Sequence, residues 1–469
     1  MSLLKIVYIF FLATLFCAYW AALGHLRDRR VPLSPILGWM VGLGYFILVP
    51  LAILVLNGGY SIPEIIGAND RYASVDLASK TYFLPMTVIW LALLLSFLSV
   101  LLFAPPREQV PADGRPWPWL NEQTLKRILL ITSGLSLLDY VFEVHMAGGM
   151  EAFLVSHWYL RQDELFARFG DVYVFYSRAS LANQIIFAAS AALFAGMYLR
   201  GQTRNWRVMV FIAFALITQM VMSGNRIFVA LFGLAFLTSC WAYGRKQLML
   251  KLLILSPVVL LVFSVWAYVR HNLGGLGEEI ATHAQADVGN RVTTTLIDTT
   301  EGSCVMILLH MVNDFGSKFD YLYGISYSKA VTFVLPRRIY PSKPDNFPTV
   351  LAQLYEPGEI TSLGATQLGE LYANFGVLSV LLLPIITVGL MRLSNRLTFG
   401  MENSALISAV LFLLVLWSTL ASFEDSFITF AFALLLIRIF RWGRNLPLPA
   451  NCPKGCSRAF AVPKYYLTK

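Results

Sequence analysis

The chain is poor in charge. Asp, Glu, Lys and Arg make up 13% of its 469 residues, about half the roughly 25% of an ordinary soluble domain. Hydrophobic residues reach 57% against about 45–50%, which excludes a water-soluble globular fold. Cysteine is scarce as well, with five residues at positions 17, 240, 304, 452 and 456, too few and too scattered for a disulfide scaffold. No G-x-x-x-x-G-K-[ST] occurs, so the chain lacks the loop that couples a protein to ATP. The absence of H-E-x-x-H and G-x-S-x-G removes the zinc peptidases and the nucleophile-elbow hydrolases. Among the six histidines, Glu279 and His283 share a helical i, i+4 spacing, which reads as a surface contact. Cys452 and Cys456, in C-P-K-G-C, lack a second pair and read as part of a basic tail rather than a zinc site. No metal and no cofactor are expected.

What the chain has in excess is apolar length. Runs recur at 3–23, 33–56, 83–104, 128–146, 179–199, 208–222, 227–243, 252–269, 371–391, 405–422 and 426–440, each near the roughly 17–25 residues that cross a hydrocarbon core as a helix. An all-α polytopic membrane protein of about 11 spans is expected. Most Lys and Arg fall in alternate connections, among them Arg27, Arg29 and Arg30; Arg107, Arg115, Lys126 and Arg127; Arg200, Arg204 and Arg207; and the tail from Arg438 to Lys469. By the positive-inside rule that face is cytoplasmic, with the N-terminus outside and the C-terminus inside. The net charge of +9 belongs to that face and implies no nucleic acid. The first run lacks an A-x-A-like cleavage site and reads as a retained helix.

The polar sequence is concentrated on the opposite side, in 57–82, 147–178 and above all 271–370. Long loops in compact proteins usually carry function. The expected organisation is 1–270 as the first eight helices, 271–370 as an external catalytic loop, 371–441 as the last three helices and 442–469 as a basic tail. Within the loop, the apolar run 304–312 is too short to span and is expected to lie at or dip into the interface, where a non-spanning segment is tolerated against protein or a watery cavity. A second run, 327–335, stops at Pro336. It leads into L-P-R-R-I-Y-P-S-K-P-D-N-F-P, residues 335–348, a proline-stiffened strap with paired arginines.

Arginines gather on this side: Arg226, Arg270, Arg291, Arg337 and Arg338. Their fixed fork of donors suits phosphate oxygens, although headgroup anchoring or pairing with nearby acids would also explain each one. Glu370 lies where the ninth run begins, followed by Tyr372 and Asn374; it is either an acid/base group or a helix-start acceptor. Asp139 and Glu143 stand one turn apart in an apolar stretch, either as a proton carrier or as the lining of a polar groove. Asp298, Glu301 and His310 are further acid/base candidates. Trp158, Tyr159 and Phe166 mix with charges over 151–178 as an interfacial aromatic belt or a platform for sugar rings.

The strap P-R-R-I-Y-P-S-K-P followed by S-L-G-A-T-Q-L-G-E-L-Y-A-N-F-G resembles the oligosaccharide repeat-unit polymerases, the Wzy-type O-antigen polymerases. The local likeness covers about 335–376; elsewhere it extends only to helix count and loop placement. The resemblance implies an inverting, metal-independent glycosyltransferase of GT-C-like fold in the bacterial inner membrane. Its partners would be undecaprenyl-pyrophosphate-linked oligosaccharides and membrane lipids, with a chain-length regulator and a flippase in the same pathway. On that basis Arg337, Arg338, Arg291, Arg270 and Arg226 are expected to bind pyrophosphate. Glu370, then Glu301, Asp139 and His310, are expected to take the acceptor proton, and Tyr372, Asn374, Trp158 and Tyr340 to contact sugar. An O-antigen ligase, using the same donor, and a transporter or lipid-linked glycan flippase are the alternatives.

Overall fold

The computed structural model describes residues 3–27, 33–61, 74–104, 122–146 with 149, 171–199, 203–223, 227–242, 247–248, 250–251, 254, 300–332, 339–340, 342–355, 364–398, 404–419 and 423–442. The described chain is overwhelmingly helical. Its first helices are α1 (Leu3–Arg27), α2 (Pro35–Leu43), α3 (Val49–Asn57), α4 (Phe83–Phe103), α5 (Glu122–Met146), α6 (Asp171–Leu199), α7 (Trp206–Ser223) and α8 (Ile227–Ala242). The later ones are α9 (Thr300–Asp314), α10 (Ile325–Thr332), α11 (Phe347–Tyr355), α12 (Gln367–Phe375), α13 (Ser379–Thr398), α14 (Ser404–Ser418) and α15 (Phe423–Trp442). One short antiparallel pair, β1 (Gly59–Ser61) with β2 (Ser74–Asp76), follows α3 in register Gly59↔Asp76.

Among the described residues, six stretches are long and apolar enough to cross a membrane: Leu3–Leu26, Pro35–Asn57, Lys80–Phe103, Glu122–Met146, Phe175–Leu199 and Gln367–Ser394. Trp206–Thr218, Leu406–Ser418 and Asp425–Leu436 are apolar but shorter. The expected eighth run, 252–269, lies almost wholly outside the described residues. The 304–312 run forms most of α9 and is enclosed by protein. Cys304, Leu308, Leu309 and Met311 are fully buried, with α4 and α12 packed against them.

Two packing devices organise the bundle. Gly38 and Gly42 let α2 approach α14 closely: a Cβ on Gly38 would stand 2.3 Å from the Phe412 carbonyl oxygen, and one on Gly42 would stand 2.4 Å from Thr419 Oγ1. Small residues serve this purpose between membrane helices. The same early segment is hydrogen-bonded to the late ones, because Ile36 N donates to Ser394 Oγ at 2.9 Å, Trp39 Nε1 to Thr387 Oγ1 at 2.9 Å and Ser408 Oγ to the Leu33 carbonyl at 2.8 Å. Between α2 and α3 the helix widens into one π turn, Gly44–Leu48, just before Pro50, whose missing N–H breaks the regular ladder.

The other device is α6. Its A-A-S-A-A segment, 188–192, is almost completely buried, and these small side chains allow α5, α8, α14 and α15 to pack around one helix. The elements between α9 and α12 close over one end of this frame. Leu322 N donates to the Ala373 carbonyl at 2.9 Å, the Tyr355 hydroxyl donates to Asp314 Oδ2 at 3.2 Å, and α10 lies against α15. These contacts tie the loop after α9, α10 and α11 to the start of the α12–α13 span.

Candidate functional site

A buried polar cluster is built on α12. Thr366 caps that helix by accepting from Gly369 N at 3.2 Å, and Gln367 N donates to the carbonyl of Thr419 at the end of α14 at 3.1 Å. With its start fixed at both points, α12 presents Glu370 and Asn374 on one face, since residues four apart lie one turn above each other. Glu370 is 1% exposed and Asn374 fully buried. The Ser326 hydroxyl of α10 donates to Glu370 Oε1 at 2.8 Å, and the backbone N–H of Phe423, the first residue of α15, donates to Oε2 at 2.7 Å. Asn374 Nδ2 donates to Ser326 Oγ at 2.8 Å and to the Glu370 carbonyl at 2.7 Å, and its Oδ1 accepts from Gly324 N at 2.9 Å.

Glu370 therefore accepts at a helix start, but the helix is α15 rather than its own. A carboxylate there meets both an orphan N–H and the positive end of the helix dipole. One side chain thus joins three elements: α10, α12 and α15. Aromatic rings cover the cluster. Tyr327 stacks on Phe375 with centroids 5.9 Å apart and meets Phe423 edge-on at 5.2 Å. Burial and then the Glu370 carboxylate push the Tyr327 phenol well above its ordinary range, with the Gln367 side chain acting the other way. Immediately after this face, Gly376 at φ +58° ends α12. A Cβ on Gly376 would also meet the Tyr321 ring at 2.9 Å.

Tyr372 turns away from Glu370 and Asn374, being two residues from each, and sits buried with its ring 6.3 Å from that of Tyr321. His310, on α9, meets Tyr82 edge-on at 5.7 Å, while α9 offers Met311 and Leu308 to Gly369 of α12. Glu301 belongs to the first turn of α9, and its side chain lies outside the described residues. Tyr340 is half-buried. Arg226, Arg270, Arg291, Arg337, Arg338 and Trp158 lie outside the described residues, as do Asp298, Glu279 and His283. Arg337 and Arg338 fall in the chain between Thr332, the end of α10, and exposed Ile339.

Asp139 stands apart, on α5, where the Ser180 hydroxyl of α6 donates to Oδ2. On the other side of α6, Arg178 pairs with Asp425 of α15. Positions 178 and 180 differ by about 200° around a helix, so α6 stands between Asp139 and the Asp425 side. Asp425 is near enough to Glu370 to act on it electrostatically.

Sequence reasoning missed four contributors. Ser326 and the Phe423 N–H carry no local signal. Arg178 and Asp425 did, as opposite charges at the edges of apolar runs. Lys343, in the strap, is 8% exposed, an unusual burial for lysine. At the end of α9, Asp314 accepts from Tyr355 and pairs with Lys318 at 2.6 Å; burial and then this carboxylate push the Tyr355 phenol up. Among the described residues no group of three or more His, Cys, Asp or Glu side chains is placed to hold a metal ion. Compared with known proteins, the chain matches no family model, no curated sequence and no solved structure.

Proposed function

We propose that the chain is an inverting glycosyltransferase of the bacterial inner membrane, with about 11 spans and a GT-C-like fold, which polymerises undecaprenyl-pyrophosphate-linked repeat units on the periplasmic face. The observation that carries this reading is the buried Glu370–Ser326–Asn374 cluster, which anchors α10 (Ile325–Thr332). From α10 the chain passes directly into the paired Arg337 and Arg338. A rigid anchor upstream of two arginines is what transfer from a lipid diphosphate needs. Negative charge builds on the leaving pyrophosphate, and cations already aimed at it stabilise the transition state more than the ground state.

In this proposal Arg337 and Arg338 grip the diphosphate, with Arg226, Arg270 and Arg291 as further contacts. A carboxylate or histidine takes the acceptor proton. Glu370 can be that base through the second lone pair on each oxygen, while its two existing hydrogen bonds give it a positioning role as well. The aromatic run Phe375, Tyr327, Phe423 and Phe427 offers ring faces to sugar or to the isoprenoid tail.

Purified protein in lipid, given only a synthetic lipid-pyrophosphate repeat unit and EDTA, is expected to yield a ladder of longer glycans. In cells, Arg337→Ala and Arg338→Ala are expected to leave protein in the membrane and glycan stopped at a single repeat. Normal long-chain polymer from both variants removes the strap from the mechanism. Loss of every repeat from the lipid core, rather than retention of one, makes the protein a ligase.

A further inference from the structure

The polar seam between α5 and α6 lies apart from the Glu370 cluster. Both helices belong to apolar stretches long enough to span, Glu122–Met146 and Phe175–Leu199, where polar groups are costly unless satisfied. The amide nitrogens and the Ser180 hydroxyl of the seam are engaged. Asn183 Nδ2 donates to the Thr132 carbonyl and to Ser136 Oγ, each at 3.0 Å; Gln184 Nε2 donates to Ser180 Oγ at 3.3 Å; and the Ser180 hydroxyl donates to Asp139 Oδ2. A backbone carbonyl only accepts, so the Thr132 contact fixes which end of the Asn183 amide is nitrogen.

What is left over is oxygen. Asp139 Oδ1, Asn183 Oδ1 and Gln184 Oε1 are buried without a hydrogen-bond partner, as is the Tyr140 hydroxyl. Asn183, Gln184 and Tyr140 are each more than nine-tenths buried. Ser180 Oγ touches both Asp139 and Gln184, and positions 180 to 184 span about 6 Å of helix, so these oxygens belong to one level of the helix pair. The neighbouring guanidinium, Arg178, lies on the opposite face of α6 and is engaged by Asp425. Glu143 stands one turn beyond Asp139.

The seam thus combines one negative charge with two amide oxygens that lack donors and a Tyr140 hydroxyl that lacks a partner. A proton on Asp139 would remove the charge but add a single O–H donor, which answers at most one of the two amide carbonyls. Water would answer the carbonyls and leave the charge. A small hard cation meets both demands, and a purely oxygen donor set with a single carboxylate favours a monovalent ion. We propose that the α5–α6 seam binds Na+, with Asp139 as the charged ligand and Asn183, Gln184 and Tyr140 as neutral ones. Bound there, the ion would draw α5 onto α6. This site is independent of the glycosyltransferase reading.

The test is thermal unfolding of the purified full-length protein in detergent at fixed pH and ionic strength, in NaCl, KCl or choline chloride. The wild type is expected to gain on the order of 2–5 °C in Na+ over choline. Asp139→Asn, which keeps an acceptor for Ser180, is expected to abolish the gain, and Gln184→Leu to reduce it. Equal stability in all three salts, a Na+ gain unchanged in Asp139→Asn, or dependence on pH alone overturns the proposal. Because a seam variant can fail to fold, binding of radioactive Na+ to the wild type is measured in parallel. Saturable uptake near one ion per chain, displaced by unlabelled Na+ but not choline, is expected, and no saturable uptake overturns the site.

Discussion

Two carboxylates lie on either side of α6 and are treated in opposite ways. Around Glu370 the carboxylate and the Ser326 and Asn374 side chains all have protein partners: Ser326 and Phe423 N–H on the carboxylate, and Gly324, Ser326 and the Glu370 carbonyl on Asn374, with the Tyr327 hydroxyl beside them the one buried group left over. Around Asp139 one carboxylate oxygen, two amide oxygens and the Tyr140 hydroxyl remain without partners. A fully satisfied buried network rigidifies what it joins, and a partly satisfied one marks a place where another species belongs. The Glu370 cluster reads as a joint, and the seam reads as a receptor.

The strongest way to break this comparison is Glu370→Ala. It leaves the Ser326 hydroxyl and the first N–H of α15 buried without acceptors, at about 1–3 kcal/mol each. A loss of roughly 3–5 kcal/mol is expected, seen as a much lower unfolding midpoint or loss of folded protein on size-exclusion chromatography. Glu370→Gln keeps one acceptor oxygen and is expected to lose about half as much. If Ala and Gln variants are equally stable, Glu370 is not a joint.

Asn374→Leu comes next. It removes the acceptor for Gly324 N and the amide held between Ser326 and α12, and about 2–3 kcal/mol is expected from the stranded groups, measured by the same midpoint. Gly376→Ala separates backbone geometry from the polar network. At φ +58° with the Tyr321 ring 2.9 Å from the new Cβ, it is expected to cost about 1–3 kcal/mol, whereas Gly324→Ala, at φ +87° with no atom nearer than 4.0 Å, pays only the backbone strain. Asp139→Asn should do least in choline, within about 1 kcal/mol, because Oδ1 has no protein donor to lose. A loss there as large as that of Glu370→Ala would erase the contrast between the two sites.

Much of the frame was legible in the sequence. Apolar runs at 3–23, 33–56, 83–104, 128–146 and 179–199 all reappear as described helices, because a hydrocarbon core demands length and hydrophobicity and little else. Glu370, Tyr372 and Asn374 were marked as polar residues at the start of an otherwise apolar run. Their partners were not, since Ser326 lies 44 positions away and the Phe423 contact uses a backbone N–H that every non-proline residue carries. The burial of α9 was hidden for a related reason. Its run is too short to span, and only the tertiary arrangement shows that α4 and α12 enclose it. Arg178 and Asp425 were individually visible, but their pairing depends on α15 meeting α6, which no local pattern encodes.

The hydrogen bonds from the α2 region to Ser394, Thr387 and Ser408 bear on how the protein is made. The Leu33 carbonyl meets a hydroxyl 375 positions later, and at a synthesis rate of about 5–20 residues per second the ribosome needs roughly 20–75 s to supply it. During that interval the glycine face of α2 and the Trp39 indole must be sheltered by lipid, by the insertion machinery or by a provisional helix neighbour. Biogenesis is therefore expected to end with a late docking event, and lesions in α14 would destabilise the earliest part of the nascent chain.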